Sequence, residues 1–107
     1  MGTLDDLVPG LERFEWDARN ADKNWSRHAV RQAEAEQALL NTPLVVAADV
    51  GHSEAEVRLL ALGRTDAGRL LTIVFTVRGS RIRVISARAL SKTERTTYGQ
   101  AEAEADS

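Results

Sequence analysis

The sequence predicts an α+β domain: a mainly antiparallel, twisted sheet of about five strands, two N-terminal helices packed on one face, and a C-terminal helix. Three observations lead there. Arg69 to Arg88, RLLTIVFTVRGSRIRVISAR, reads as two strands joined by the shortest kind of turn. A further apolar run, Val57 to Arg64, precedes it across the loop Asp66-Ala67-Gly68, giving tandem hairpins. Helical spacing replaces alternation between about residues 18 and 40, and a capping sequence stands at 91–94. The resulting order, β-α-α-β-β-β-β-α, separates helices from sheet.

Each element has its own reason. Residues 1–12 hold Gly2, Asp5, Asp6, Pro9 and Gly10 and read as an irregular, acidic arm. Arg13 to Asp17 (RFEWD) alternates, so Phe14 and Trp16 share one strand face. It is expected at an edge of the sheet, beside a non-sequential strand. Asp17 suits the N-cap of a helix from Ala18, in which Ala18, Ala21, Trp25 and His28 form a narrow inward stripe. A second helix spans about Arg31 to Leu40, with Ala35, Ala38 and Leu39 as its buried edge. Its small residues allow close approach to the sheet. Asn41-Thr42-Pro43 ends it, because proline disfavours helix in the residue before it.

Leu44 to Ala48 reads as a short buried strand, and Asp49 to Glu56 as a polar connection. Val57 to Arg64 suits helix or strand by composition; the following turn residues favour strand, with Arg58, Leu60, Leu62 and Arg64 on one face. Arg78-Gly79-Ser80-Arg81 then fits a type II′ turn, since glycine accepts positive φ at its first central position. Ser91-Lys92-Thr93-Glu94 is a capping box that starts a helix from Lys92 to about Tyr98. The acidic tail, 100–107, is expected to fray. The whole is read as one domain, with an arm at 1–12, a core at 13–99 and the tail.

At 107 residues, 43% hydrophobic and 28% charged, the composition is that of an ordinary globular domain. No apolar run approaches a membrane span and the start has no signal-peptide pattern, so a cytoplasmic location is expected. Without cysteine there is neither a disulfide framework nor a thiolate metal site. The net charge of −2 hides a strong asymmetry: residues 1–56 carry −6 and residues 57–95 carry +7. The hairpin half is therefore a candidate polyanion surface, against the alternative of a merely solvated sheet face.

No metal, cofactor or nucleotide motif emerges. The two histidines, His28 and His52, lie in different elements without ligand spacing. On its stripe, His28 reads first as a packed residue and second as a catalytic one. The chemistry then rests on arginine, whose guanidinium forks onto phosphate and can stabilise charge as a 2′-hydroxyl attacks its neighbouring phosphate. Glu54, Glu56, His28 and Tyr98 are the residues able to exchange protons. Arg81 and Arg83 share a face beside the turn; strict alternation sets Arg88 on the opposite face, with Ile82 and Val84, where it needs a partner. Arg64 ends its strand beside Gly63, while Arg69 and Arg95 read as solvated. A nuclease of this kind requires several of these groups to meet in one concave spot.

Three stretches together resemble the BrnT toxins of bacterial type II toxin–antitoxin systems. The first is Phe14-Glu15-Trp16-Asp17 with Asn24, Arg27, His28 and Val30, similar to that family's FEWD strand and N-x-x-K-H-G-V helix end. The second is His52-Ser53-Glu54 with Glu56, Arg58 and Gly63-Arg64. The third and most specific is Gly68-Arg69-Leu70-Leu71, Thr76, Arg78-Gly79 and Arg83-Val84-Ile85-Ser86-Ala87-Arg88, followed by Glu94, Arg95 and Tyr98. Ala29, Arg31, Gln32 and Leu59 depart from the family pattern.

The resemblance implies a RelE-like fold and an endoribonuclease that arrests growth by inhibiting translation; the arginine chemistry would need neither metal nor cofactor. Together with the arginine chemistry, the resemblance marks Arg64, Arg83, Arg88 and His28 as candidate catalytic residues, and Arg58, Arg78, Arg81 and Tyr98 as candidate RNA contacts. It also implies a BrnA-type ribbon-helix-helix antitoxin as partner, through which alone DNA would be met, in a homodimer or a heterotetramer with the antitoxin. A contrasting reading is a non-catalytic interaction module that still binds antitoxin or RNA. A third is a structural domain whose arginines are all paired internally.

Overall fold

A computed structural model of the chain describes residues 4, 8–16, 25, 27–48 and 58–106. Its elements are β1 (Arg13–Trp16), α1 (Gln32–Leu40), β2 (Val45–Ala48), β3 (Leu59–Arg64), β4 (Leu70–Arg78), β5 (Arg81–Ala89) and α2 (Lys92–Ala105). The five strands form one sheet in the order β1-β5-β4-β3-β2. Three pairings are antiparallel, and β1 joins β5 in parallel, which makes the sheet mixed.

The two hairpins follow from local chemistry. Gly79 has φ +61 while Ser80 avoids positive φ, the pattern of a type II′ turn. At the other end, Gly68 takes φ +89. The Thr65 hydroxyl there accepts from the Arg69 amide at 3.0 Å, closing the loop between β3 and β4. The choice of strand for the leucine-rich run before Arg64 is thus borne out.

The first face of the sheet carries the main core. Alternating residues Leu71, Ile73 and Phe75 from β4 join Ile82, Val84 and Ala87 from β5, under Ala35, Ala38 and Leu39 of α1. Phe14 and Trp16 pack on the same side, as their alternation predicts, and the Trp16 indole donates to Glu36 at 2.8 Å. Gly63 lets α1 close onto β3: a Cβ there would run into the Ala38 carbonyl oxygen and meet Leu44 at 3.2 Å. The second face has a smaller core, in which Leu62 and Leu90 pack with Tyr98 of α2.

Several expectations give way here. The arm is not merely irregular, because Leu4 and Val8 are buried in the main core and Leu11 packs against it. Their spacing of four and three is helical, and the Val8 amide donates to the Leu4 carbonyl at 2.8 Å. Helix α2 does not stop near Tyr98 but runs through Gly99 to Ala105, with Ala101 buried and Glu102 paired to Arg64 at 3.3 Å. Strand β2 is a sheet edge rather than a buried strand; Leu44 is buried, whereas Val46, Ala47 and Ala48 are exposed. The inward stripe proposed for the first helix fails at Trp25 and His28, both exposed, and Arg31 lies over the Trp25 ring at 5.2 Å instead. Most of that helix falls outside the described residues, as do Asp17 and Asn24.

The Gly63 contact gives a direct test. Gly63→Ala should lower stability by about 1–3 kcal/mol, the usual cost of overpacking, seen as a fall in the urea midpoint without a change in slope.

Candidate nucleic-acid interface

Cross-strand register decides which arginines share a face. Val74 pairs with Ser86 but Phe75 pairs with Val84, so Ile85 is an extra residue in β5. This bulge reverses the alternation part-way along the strand. Arg81, Arg83, Ser86 and Arg88 therefore all lie on the second face, while Ile82, Val84 and Ala87 keep to the core. Strict alternation set Arg88 on the opposite side, and that expectation is corrected.

The second face divides into two halves. In one, α2 covers Leu62, Leu60 and Leu70. Here the capping box closes as predicted: the Ser91 hydroxyl accepts from the Glu94 amide at 3.2 Å, and the Glu94 carboxylate accepts from the Ser91 amide at 2.8 Å. The same carboxylate receives both terminal nitrogens of Arg88, at 2.8 and 3.0 Å, and the buried Thr72 hydroxyl at 2.9 Å. Arg88 above all holds the Glu94 carboxyl down to about 2, against the opposing pull of burial, with smaller help from Ser91 and Thr72. In return, Glu94 raises the Arg88 pKa.

No described helix covers the other half. Arg13, Arg81 and Arg78 stand in one row across β1, β5 and β4, followed by Glu15, Arg83 and Thr76 in the next. Continuing the β3–β4 register from Leu59↔Phe75 brings Arg58 beside Thr76. A cleft of about 480 Å³ opens along β1, lined by Arg13, Phe14, Glu15, Trp16 and Arg83. Glu15 takes the Arg81 guanidinium at 3.1 Å and lies 4.0 Å from that of Arg13. Glu12 lies 3.8 Å from Arg81.

The sequence-predicted site residues are thus partly assembled and partly dispersed. Arg58, Arg78, Arg81 and Arg83 share the half-face that no described helix covers. Arg88 is on the same face but is engaged at the start of α2. Arg64 lies at the far end of β3, roughly 20 Å away at about 3.3 Å per residue. It is paired with Glu102 and lines a separate cleft of about 410 Å³ with Asn41, Thr42, Thr65, Asp66 and Gly68. The guanidinium groups therefore do not all meet in one spot: Arg64 and Arg88 stand apart from the other four. Arg69 is not simply solvated: it pairs with Glu34 at 3.3 Å and donates to the carbonyls of His28 and Ala29. That fixes His28 near the same distant end, with its side chain exposed.

Tyr98 belongs to the second core. It is 0% exposed and its hydroxyl donates to the Pro43 carbonyl at 2.8 Å, so no ring surface is left for RNA. Burial pushes its pKa up. His52, Ser53, Glu54 and Glu56 lie outside the described residues. Arg13, Glu15 and Thr76 were not singled out by sequence as site residues, because their positions depend on the parallel β1–β5 pairing and the Ile85 bulge. Among the described residues, no three metal-ligating side chains come together, and no helix is long and apolar enough to cross a membrane.

The family model described as ribonuclease toxin, BrnT, of type II toxin–antitoxin system matches residues 16–94. The chain belongs to the BrnT family. Its fold is similar to that of the Brucella abortus ribonuclease toxin BrnT, with a TM-score of 0.56 and 24% identity over 75% of this chain and 97% of that one. A search of the curated proteins finds no match. This BrnT-family chain is thus an α+β toxin of a type II system, which implies an antitoxin partner.

Linkage through Glu94 has a defined sign. Its folded pKa lies below the ordinary 4.5, so its stabilisation is complete above that value and is lost as pH falls toward about 2. Unfolding free energies measured across that window should fall for the wild-type chain, and Glu94→Gln should flatten the decline.

Proposed function

We propose that this BrnT-family chain is a metal-independent endoribonuclease that binds RNA across the arginine-bearing half of the second face and arrests growth by inhibiting translation. The observation that carries this reading is the gathering of Arg13, Arg58, Arg78, Arg81 and Arg83 on one side of one sheet. Five fixed positive charges on a curved surface suit a sugar-phosphate backbone.

In this reading the RNA 2′-oxygen attacks the adjacent phosphorus and the bond to the 5′-oxygen breaks. A 2′,3′-cyclic phosphate and a 5′-hydroxyl result, the departing oxygen taking up a proton from water. Arg83, with Arg81, stabilises the charge that builds on the phosphoryl oxygens. Glu15 accepts the 2′-hydroxyl proton once phosphate has drawn the Arg81 guanidinium away from its carboxylate. Arg58 and Arg78 hold the flanking backbone. His28, Arg64, Arg88 and Tyr98 have no part in this step.

The same basic half-face is an apt target for acidic segments of a BrnA-type ribbon-helix-helix antitoxin, in a heterotetramer or another closed assembly in the cytoplasm. DNA is then met through the antitoxin alone. The ion pairs of Arg64, Arg81 and Arg88 favour a second reading, a binding module without cleavage.

Expression without an antitoxin decides between them. The wild-type chain should arrest growth and yield RNA fragments ending in cyclic phosphate, with EDTA present in the cleavage assay. A combined Arg81→Ala, Arg83→Ala variant should lower cleavage by at least roughly a hundredfold, the scale of lost transition-state donors. Intact RNA and unimpaired growth with the wild-type chain would leave the binding module. Each arginine lost should also reduce the salt slope of RNA binding by about 0.7 on a single strand.

A further inference from the structure

Two threonines on β4 face the same way, and among the described residues only one of them has a hydrogen-bond partner. Thr72 and Thr76 are both buried, at 0% and 2% exposure. Thr72 donates its hydroxyl hydrogen to Glu94 at the start of α2. The Thr76 hydroxyl, one row nearer the turn than Val74, is buried with no partner. No described helix reaches that half of the face to supply a carboxylate. Instead its neighbours on the second face are Arg83, its register partner, and the position of Arg58.

A buried hydroxyl without a partner is unfavourable, and valine has the same branched shape without that cost. Valine is also at home in a central strand. The retained oxygen therefore needs an account. A bridging water would need two or more polar partners in a roomy site. The charge around Thr76 points elsewhere: a neutral donor set among guanidinium groups is completed by an anionic acceptor.

We propose that the Thr76 hydroxyl is a substrate contact, donating its hydrogen to a non-bridging phosphate oxygen of RNA when the flanking arginine side chains turn to grip the same phosphate. The inference rests on the reading of the half-face as an RNA surface. Thr76 supplies a directional contact at a fixed point on a rigid central strand. The arginines supply charge on long, mobile stems. Together they set the register of the backbone on the sheet, and Thr76 counts as a binding residue, not as a proton carrier.

The test uses an uncleavable 2′-O-methyl RNA 12-mer, with Kd measured at several salt concentrations and thermal unfolding followed without RNA. Thr76→Val should unfold at the same or a higher temperature, because it removes an unpartnered buried oxygen. It should bind the 12-mer roughly tenfold more weakly, with an unchanged salt slope, because no charge is lost. Thr76→Ser should restore most of the affinity. Arg83→Ala should weaken binding and lower the slope.

If Thr76→Val binds like the wild type while Arg83→Ala binds weakly, the inference fails and the RNA surface stands. A lower unfolding temperature with unchanged affinity would make the hydroxyl a structural group, which also overturns it. If neither the wild type nor any variant binds the 12-mer, the RNA reading fails and carries the inference with it. Should the valine variant not fold, Thr76→Ala against Thr76→Ser gives the same comparison.

Discussion

One extra residue in β5 governs where the positive charge of this sheet points. Without the bulge at Ile85, either Ile82 and Val84 or Ala87 would leave the core side. With it, all three remain inside while Arg81, Arg83, Ser86 and Arg88 share the opposite face. The bulge thus reconciles a continuous core with a continuous polar row on one strand. A bulge also increases local twist.

A second constraint acts on the other side. The contact between Gly63 and Ala38 brings α1 down onto β3, and the small residues of α1 make that approach possible. Helix α2 meets the opposite face near the same end of β3. Both described helices therefore load the end of the sheet that contains the Thr65–Arg69 loop. The end that contains the Gly79 turn has the arm on one side, through Glu12, whose amide donates to the Ser80 carbonyl at 2.8 Å. Its second face carries the arginines. Placing the helices at one end is what leaves a charged half-face at the other.

Much of this was legible in the residues. The hairpins were announced by Gly79 and Gly68, the α2 start by Ser91 and Glu94, and the inward side of β1 by Phe14 and Trp16. Each is a local signal, decided within a few residues. What alternation could not reveal was the side taken by Arg88, because a bulge depends on pairing with β4 and not on β5 alone. The parallel docking of β1 on β5 brings Glu15 beside Arg83 across more than sixty residues of sequence, so the cleft had no contiguous motif. Helical spacing in the arm was present in Leu4, Val8 and Leu11 but was masked by the acids, proline and glycine between them. The expected burial of Trp25 failed because an aromatic ring over an arginine is a stable exposed alternative.

The arginines differ in how readily they can be recruited, and magnitudes separate them. Arg81 is paired to Glu15 and Glu12 at the surface, where exposed ion pairs contribute about 0.2–1 kcal/mol. Pairs held that weakly leave the guanidinium fork open to exchange with another two-oxygen anion. Arg88 is different. Its carboxylate partner also closes the α2 capping box and satisfies the buried Thr72 hydroxyl. Drawing Arg88 away would leave Glu94 with a weakened network, and a helix cap alone is commonly worth about 1 kcal/mol. An ion pair is therefore no proof of a purely structural role. The deciding quantity is what else the carboxylate holds, and by that measure Arg81 is poised for exchange while Arg88 is committed to the fold.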